Sequence, residues 1–280
     1  MFLCRHASCR ACDGAFLAFS GALRYAQGVP GQPKGAQKAR KGHERDMKRN
    51  GKGIVWAGLG WMAAFVIWTM LIQTVDVRAV GPNGTKVGFA ALNGWFHALT
   101  GVHWALYSVT DWLGLVPLAV CAGFGVVGLK QWIQRRKLSA VDADILLLGG
   151  YYLVVIAAYL LFEQFPVNYR PVRIEGRLEA SYPSSTTLLV LCVMPTLGFQ
   201  AGRRMRGRAA QKGIRVFAAG FAALMAVGRM ISGVHWLTDI IGAALLSAGL
   251  FALYRGAVWR LDARREEGKA NWNCTKNCRH

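Results

Sequence analysis

The sequence predicts an all-α protein: a polytopic membrane helical bundle with about six transmembrane helices plus an outer interfacial helix. Three observations carry that expectation. Hydrophobic residues make up 54% of the 280 residues and mean hydropathy is +0.27, an apolar excess beyond that of an ordinary soluble domain. Several uncharged runs approach the roughly 20 apolar residues that a helix needs to cross a bilayer. Lys and Arg number 34 against 14 Asp and Glu, a formal net charge of +20, and the basic residues cluster beside the apolar runs. Such a balance also fits nucleic-acid binding. Clustering at the ends of spans instead follows the cytoplasmic-loop bias of membrane proteins. Membrane lipids are therefore the expected surroundings, with no nucleic-acid partner.

Residues 1–53 read as a basic, disordered N-terminal tail. The tail is rich in Gly, Ala, Arg and Lys, carries Pro30 and Pro33, and shows no sustained periodicity. Its apolar stretch 15–23 is too short and too weakly flanked for a signal peptide. Met47, followed by Lys48-Arg49-Asn50-Gly51-Lys52 and then a hydrophobic run, has the form of a natural start, so the residues before it are expected to be dispensable. Of the seven cysteines, Cys4, Cys9 and Cys12 lie in this tail, Cys274 and Cys278 in the C-terminal one, and Cys121 and Cys192 in apolar runs. With only His6 and His280 nearby and no folded context, the tail spacings read as reduced cytoplasmic thiols. No metal and no cofactor is expected.

Span one covers residues 54–74 and is followed by a loop, 76–86, with the turn Gly81-Pro82-Asn83-Gly84. Over residues 87–109, Phe89, Leu92, Phe96, Leu99, Val102, Leu106 and Val109 recur at helical spacing, interrupted by Asn93, His97, Thr100 and His103. That mixture predicts an interfacial helix. Spans two to six cover 113–129, 145–162, 187–202, 216–227 and 237–254. Residues 54–260 thus form one membrane domain and 261–280 a cytoplasmic tail. Basic clusters precede span one, separate two from three and four from five, and follow six. The positive-inside rule places all of these segments in the cytoplasm, with both termini. The loops 76–111 and 163–186, and the region of Arg229, then share the extracytoplasmic face.

On that face the stretch Gly228-Arg229-Met230-Ile231-Ser232-Gly233-Val234-His235-Trp236-Leu237-Thr238-Asp239 places three ionisable residues between apolar segments. Ionisable groups at membrane depth are costly and mark functional sites by default. His235 and Asp239 are four apart, so a helix here would put them on one face, the carboxylate holding one ring nitrogen and freeing the other. Arg229 offers a donor fork matched to phosphate oxygens. So few apolar residues separate Arg215 from Arg229 that Arg229 is expected below the surface, facing the bundle interior. Upstream, Asn168-Tyr169-Arg170-Pro171 opens the loop that ends in Pro183-Ser184-Ser185-Thr186 at the start of span four. Ser184, Ser185 and Thr186 form a helix-capping pattern that also presents hydroxyls and N–H groups to an anion.

Together these stretches resemble the type-2 phosphatidic acid phosphatase and haloperoxidase superfamily. Its signature joins Lys-x6-Arg-Pro, Pro-Ser-Gly-His and Ser-Arg-x5-His-x3-Asp. The third part is matched by Arg229, His235 and Asp239 at the right spacing, with Gly228 in place of serine. Arg170-Pro171 matches the end of the first, with Glu163 where the lysine belongs. Pro183-Ser184-Ser185-Thr186 stands for the second, with Thr186 in the histidine's place. The resemblance implies metal-independent hydrolysis of lipid phosphates or diphosphates, phosphatidic acid-like or polyprenyl. His235 would attack phosphorus to form a phosphohistidine and Asp239 would orient it. Arg170, Arg229, Ser184, Ser185 and Thr186 would hold the oxygens.

The departure at Thr186 removes the expected proton donor, whose help is worth roughly 10²–10⁴-fold. Three readings stay open at this point. A diphosphate substrate would have a better leaving group, another outer-face group such as His103 or Glu179 would supply the proton, or the chain binds or translocates lipid phosphates without hydrolysing them. Arg173 or Arg177 is a candidate replacement for the lysine's charge. The pattern sets no oligomeric state.

Overall fold

The computed structural model describes the backbone of residues 34–277 and the side chains of residues 51–268. The stretch 15–23, Cys4, Cys9, Cys12, Cys278 and His280 lie outside what is described, and of Cys274 only the backbone is described. Among the described residues there are eight α-helices and no strand. They are α1 (Lys34–Thr74), α2 (Ala90–Thr100), α3 (Trp104–Leu113), α4 (Leu115–Arg135), α5 (Ala143–Gln164), α6 (Ser185–Arg204), α7 (Arg208–Ile231) and α8 (Leu237–Asn277). Six helical stretches are long and apolar enough to cross a membrane: Gly51–Thr74, Trp104–Arg135, Ala143–Gln164, Ser185–Arg204, Arg208–Ile231 and Leu237–Gly268.

The helices extend past the apolar runs at several ends. Residues 34–53, expected as an unstructured tail, belong to α1, and the C-terminal tail belongs to α8 as far as Asn277. Lys, Arg, Gln, Glu and Ala are good helix formers even without an apolar face, and a span already nucleated extends through them at little cost. The fifth crossing likewise begins at Arg208, so α7 has 24 residues, enough at about 1.5 Å each for a full crossing. The expected single helix over 87–109 is instead two, broken at Gly101. Gly101 takes φ +66°, a left-handed conformation that glycine adopts without a Cβ penalty. Its C-terminal half, α3, then runs into α4 through Gly114 as one crossing.

The described residues divide into two compact units, 54–257 and 34–53 with 258–277. In the smaller, Gly51 lies against Trp259, where an added Cβ would stand 3.4 Å from the Trp259 Cβ. In the larger, α6 and α7 form the tightest pair. Val190 and Met194 of α6 meet Ala218, Ala222 and Met225 of α7 in a buried cluster, with Val116 and Val120 of α4 against it. Alanines four apart leave a shallow groove in which the α6 side chains seat. Pro195 interrupts α6 and removes one backbone donor. Polar side chains serve that turn: the Tyr151 hydroxyl donates to the Cys192 carbonyl at 3.0 Å, and Tyr152 and Thr196 share a hydrogen bond of 2.7 Å. Apolar residues such as Leu153, Val126 and Leu224 point outward and are exposed, as lipid-facing positions of a bundle are.

Each end of α6 carries a polar cluster. At its C-terminal end, Arg204 Nη2 pairs with Asp144 at 2.9 Å, Arg203 Nε with the same carboxylate at 3.3 Å, and Arg135 with Asp142 at 2.9 Å. Gln200 accepts from Arg204 and donates to the Tyr254 hydroxyl, so the network is satisfied through α4, α5, α6 and α8. The N-terminal end is different and holds the candidate site.

Candidate active site

The loop between α5 and α6 is folded as a short hairpin. Tyr169 bridges Ala180 and Ile174 bridges Arg177, around a two-residue turn in which Glu175 and Gly176 both have positive φ. Two left-handed residues in sequence give the turn whose twist matches a hairpin. The register pairs the Arg170 N–H with the Glu179 carbonyl and the Ser181 N–H with the Asn168 carbonyl. Asn168, Arg170 and Ser181 are thereby brought to one buried edge. Tyr182 anchors that edge, its ring stacked on Phe65, its hydroxyl 2.7 Å from Thr69 Oγ1, and its face against Gly242, where a Cβ would overlap it.

The other half of the site comes from the link between α7 and α8. Gly233 has φ +71°, and a Cβ there would stand 1.8 Å from the Gly101 carbonyl, so the loop before α3 passes where only glycine leaves room. The His103 N–H bonds the Ser232 carbonyl at 3.0 Å, tying the two loops together. Gly228 faces Thr110 of α3, whose methyl would lie 2.8 Å from a Cβ. The serine of the superfamily signature would clash at that position unless Thr110 moved, so Gly228 and Thr110 fit as a pair. Asn93 of α2 bonds both Thr238 Oγ1 and the Thr238 N–H, holding the start of α8.

These elements converge on His235, which is buried, as are Arg170, Arg229 and Asp239. Nη1 of Arg170 lies 3.4 Å, and Nη2 of Arg229 3.3 Å, from His235 Nε2. Guanidinium nitrogens only donate, so Nε2 is the acceptor and the ring proton belongs on Nδ1. Nδ1 is 3.1 Å from Ser181 Oγ, and that hydroxyl donates to Asp239 Oδ2. Asp239 also accepts from the Trp236 N–H at 2.9 Å and from Asn168 Nδ2 at 3.5 Å.

The direct histidine–aspartate contact expected from the four-residue spacing is therefore replaced by a relay. Nδ1 and Oδ2 are 3.8 Å apart with Ser181 bridging them. The reason is local: α8 starts at Leu237, so His235 precedes the helix while Asp239 sits in its first turn and turns back to cap it. Ser181 and Asn168 were not among the residues singled out by sequence. Burial first, and then the positive charges of Arg170 and Arg229, hold the His235 pKa well below its ordinary value. The imidazole is neutral at neutral pH, with an unprotonated nitrogen facing two cations.

The remaining candidates lie around this centre. Arg229 is interior, as expected, with its guanidinium 4.9 Å over the Tyr107 ring and Nη1 3.6 Å from Asp111 Oδ1. Arg170 Nε lies 3.1 Å from Glu179 Oε2. Ser184 is buried, its hydroxyl 2.9 Å from Thr187 Oγ1, and its N–H donates to the Asp239 carbonyl. Ser185 and Thr186 are half-buried in the first turn of α6, and the Thr186 methyl would lie 3.5 Å from a Cβ on Gly114. His103 is exposed, and its Nε2 bonds the Thr100 carbonyl at 2.8 Å, within its own loop. Glu163, Arg173 and Arg177 are exposed, and Arg173 donates to Asn83. Tyr107 and Asp111 are further residues that the sequence reading passed over; each sits on α3 facing Arg229.

Two cationic forks lie within hydrogen-bond reach of a neutral imidazole, a set of groups chemically able to hold an oxyanion. Residues 145–263 match the PAP2 superfamily, a stretch that contains Arg170, Ser184, Arg229, His235 and Asp239. No curated protein matches the chain. Among solved structures, a transmembrane PAP2-type phosphatidylglycerolphosphate phosphatase from Bacillus subtilis is similar at 18% identity and a TM-score of 0.49, over 72% of this chain and 96% of that one.

Proposed function

We propose that the protein is a membrane phosphatase that removes phosphate from a lipid monophosphate or diphosphate through a phosphohistidine on His235. The observation that carries this reading is the orientation of the imidazole. Nε2 faces Arg170 and Arg229 while Nδ1 is held by the Ser181–Asp239 relay. An entering phosphoryl group would take the two guanidinium forks in place of the histidine nitrogen. That would put phosphorus beside Nε2, with the charge of the transition state spread over fixed donors. As Nε2 bonds to phosphorus, the ring becomes cationic, and the serine relayed to Asp239 supports it. Water would then hydrolyse the intermediate and release inorganic phosphate.

Burial of the site at one end of apolar helices favours a lipid substrate, its headgroup entering the cradle and its tails remaining among the spans. Phosphatidic acid-like lipids and polyprenyl diphosphates both satisfy that chemistry. The distribution of Lys and Arg supports cytoplasmic termini and an extracytoplasmic site. Thr186 and Glu163, where the superfamily signature has histidine and lysine, favour a second reading, in which the site binds lipid phosphates without hydrolysis.

Phosphate release by the purified full chain in detergent, from phosphatidic acid and from farnesyl diphosphate, separates the two. Release that disappears in His235→Ala supports the phosphatase. Retained lipid-phosphate binding with no release from either lipid supports the binder.

A further inference from the structure

With Thr186 unable to supply a proton, the cradle lacks the acid that an alkoxide leaving group requires. Asp111 lies where such a group belongs. It occupies the last turn of α3, its side chain is 59% exposed, and its Oδ1 stands 3.6 Å from Arg229 Nη1. Its backbone carbonyl accepts from the Gly114 N–H at 3.0 Å, and Gly114 in turn faces the Thr186 methyl. The carboxylate is thus on the stretch of chain that packs against the threonine. Nη1 and Nη2 are the two prongs of one guanidinium fork: Nη2 faces His235 Nε2 and Nη1 faces Asp111. A phosphoryl group held across that fork would have the imidazole beside one prong and the carboxyl group beside the other.

Glu179 is placed differently. It pairs at 3.1 Å with Nε of Arg170, whereas His235 takes Nη1 of that arginine, and those two nitrogens do not form a fork. His103 bonds its own loop.

We propose that Asp111 is the proton donor to the leaving oxygen, and so a further catalytic residue of the reaction proposed above, on which this assignment rests. His235 Nε2 forms the bond to phosphorus as the bond from phosphorus to the ester oxygen breaks. The electron pair stays on that oxygen, which takes the proton of Asp111, present in this step as the carboxylic acid, and leaves as the alcohol. The Asp111 carboxylate then accepts a proton from the water that attacks the phosphohistidine, and inorganic phosphate and neutral His235 are regenerated. The charged and titratable groups around it are Arg229, Tyr107, and the Arg170–Glu179 pair beyond Arg229.

The test compares leaving groups in the full-length protein. Phosphatidic acid must expel an alkoxide, whereas p-nitrophenyl phosphate expels a phenolate that needs little protonation. Asp111→Asn should lower kcat on phosphatidic acid by roughly 10²-fold or more, the scale of general acid help. Its loss on p-nitrophenyl phosphate should be at least tenfold smaller, and Asp111→Glu should recover part of the lipid activity. Glu179→Gln should affect both substrates alike. Equal losses in Asp111→Asn, or a leaving-group dependence that follows Glu179 instead, would overturn the assignment while leaving His235 as nucleophile. A wild-type protein that releases phosphate from neither substrate nor from farnesyl diphosphate overturns the hydrolase reading and Asp111 with it, and release from farnesyl diphosphate alone overturns Asp111 while leaving the hydrolase reading. Size-exclusion profiles of the variants identify any that fail to fold, and Asp111→Glu then decides.

Discussion

The two ends of α6 carry similar side chains to opposite effect. At the C-terminal end Arg203 and Arg204 meet Asp144, and Arg135 meets Asp142, at 2.9–3.3 Å. There each cation has an anion, which is how a bundle closes a polar end at modest cost. At the N-terminal end the carboxylates beside Arg170 and Arg229, Glu179 and Asp111, are partly exposed, while other nitrogens of both guanidiniums converge on a neutral buried imidazole and the buried Asp239 is turned away to take Ser181, Asn168 and the Trp236 N–H. Nε of Arg229 has no hydrogen-bond partner although it is buried. Unpaired buried donors are costly. Donors retained next to a carboxylate spent on other groups support the proposed anion site. One end is a clamp, and the other, on the function proposed above, a receptor.

The sharpest way to break this contrast is His235→Ala, which should lower phosphate release by about 10³-fold or more, since the nucleophile has no substitute in the cradle. Wild-type rates in that variant would make the N-terminal cluster a second clamp. Arg229→Lys keeps the charge but loses the fork, and kcat/KM should fall about 10²-fold, the scale of removing one transition-state donor. Ser181→Ala removes the relay, and kcat should fall roughly tenfold with little change in KM, consistent with one hydrogen bond to a charged group. Acid-side behaviour sharpens the electrostatics. The proposed reaction requires neutral His235, whose lowered pKa keeps it neutral down through the usual imidazole range, so kcat/KM should decline only below it. Arg170→Gln removes one of the charges that depress the pKa, so the residual activity should begin its acid decline at higher pH. The smallest effect on catalysis belongs to the clamp: Arg204→Ala should cost about 1–2 kcal/mol and a few degrees in Tm while leaving kcat unchanged.

How much of this was legible in the sequence follows from what carries each feature. The spans were legible because apolar runs bounded by arginines have few alternatives. Their ends were less so: the basic residues 34–53 have helix propensity without periodicity, and the break at Gly101 is hidden inside an unbroken helical pattern. Arg229, His235 and Asp239 stood out because ionisable residues among apolar ones are conspicuous and close in sequence. Ser181 and Asn168 were not legible, since their approach to Asp239 depends on the register set by the Glu175-Gly176 turn. Asp111 and Tyr107 were passed over for a related reason. Asp111 falls at the seam between an expected surface helix and an expected span and Tyr107 near the end of that helix, and their place beside Arg229 appears only once Gly114 joins α3 to α4.

The central claim is that His235 carries the phosphoryl group, and trapping that group tests it most directly. Brief reaction with phosphate-labelled lipid, quenching in base and mass spectrometry of the peptides should find an acid-labile, base-stable phosphoryl group on His235, absent from His235→Ala. Steady phosphate release with no label on His235, or with label on another side chain, would contradict it.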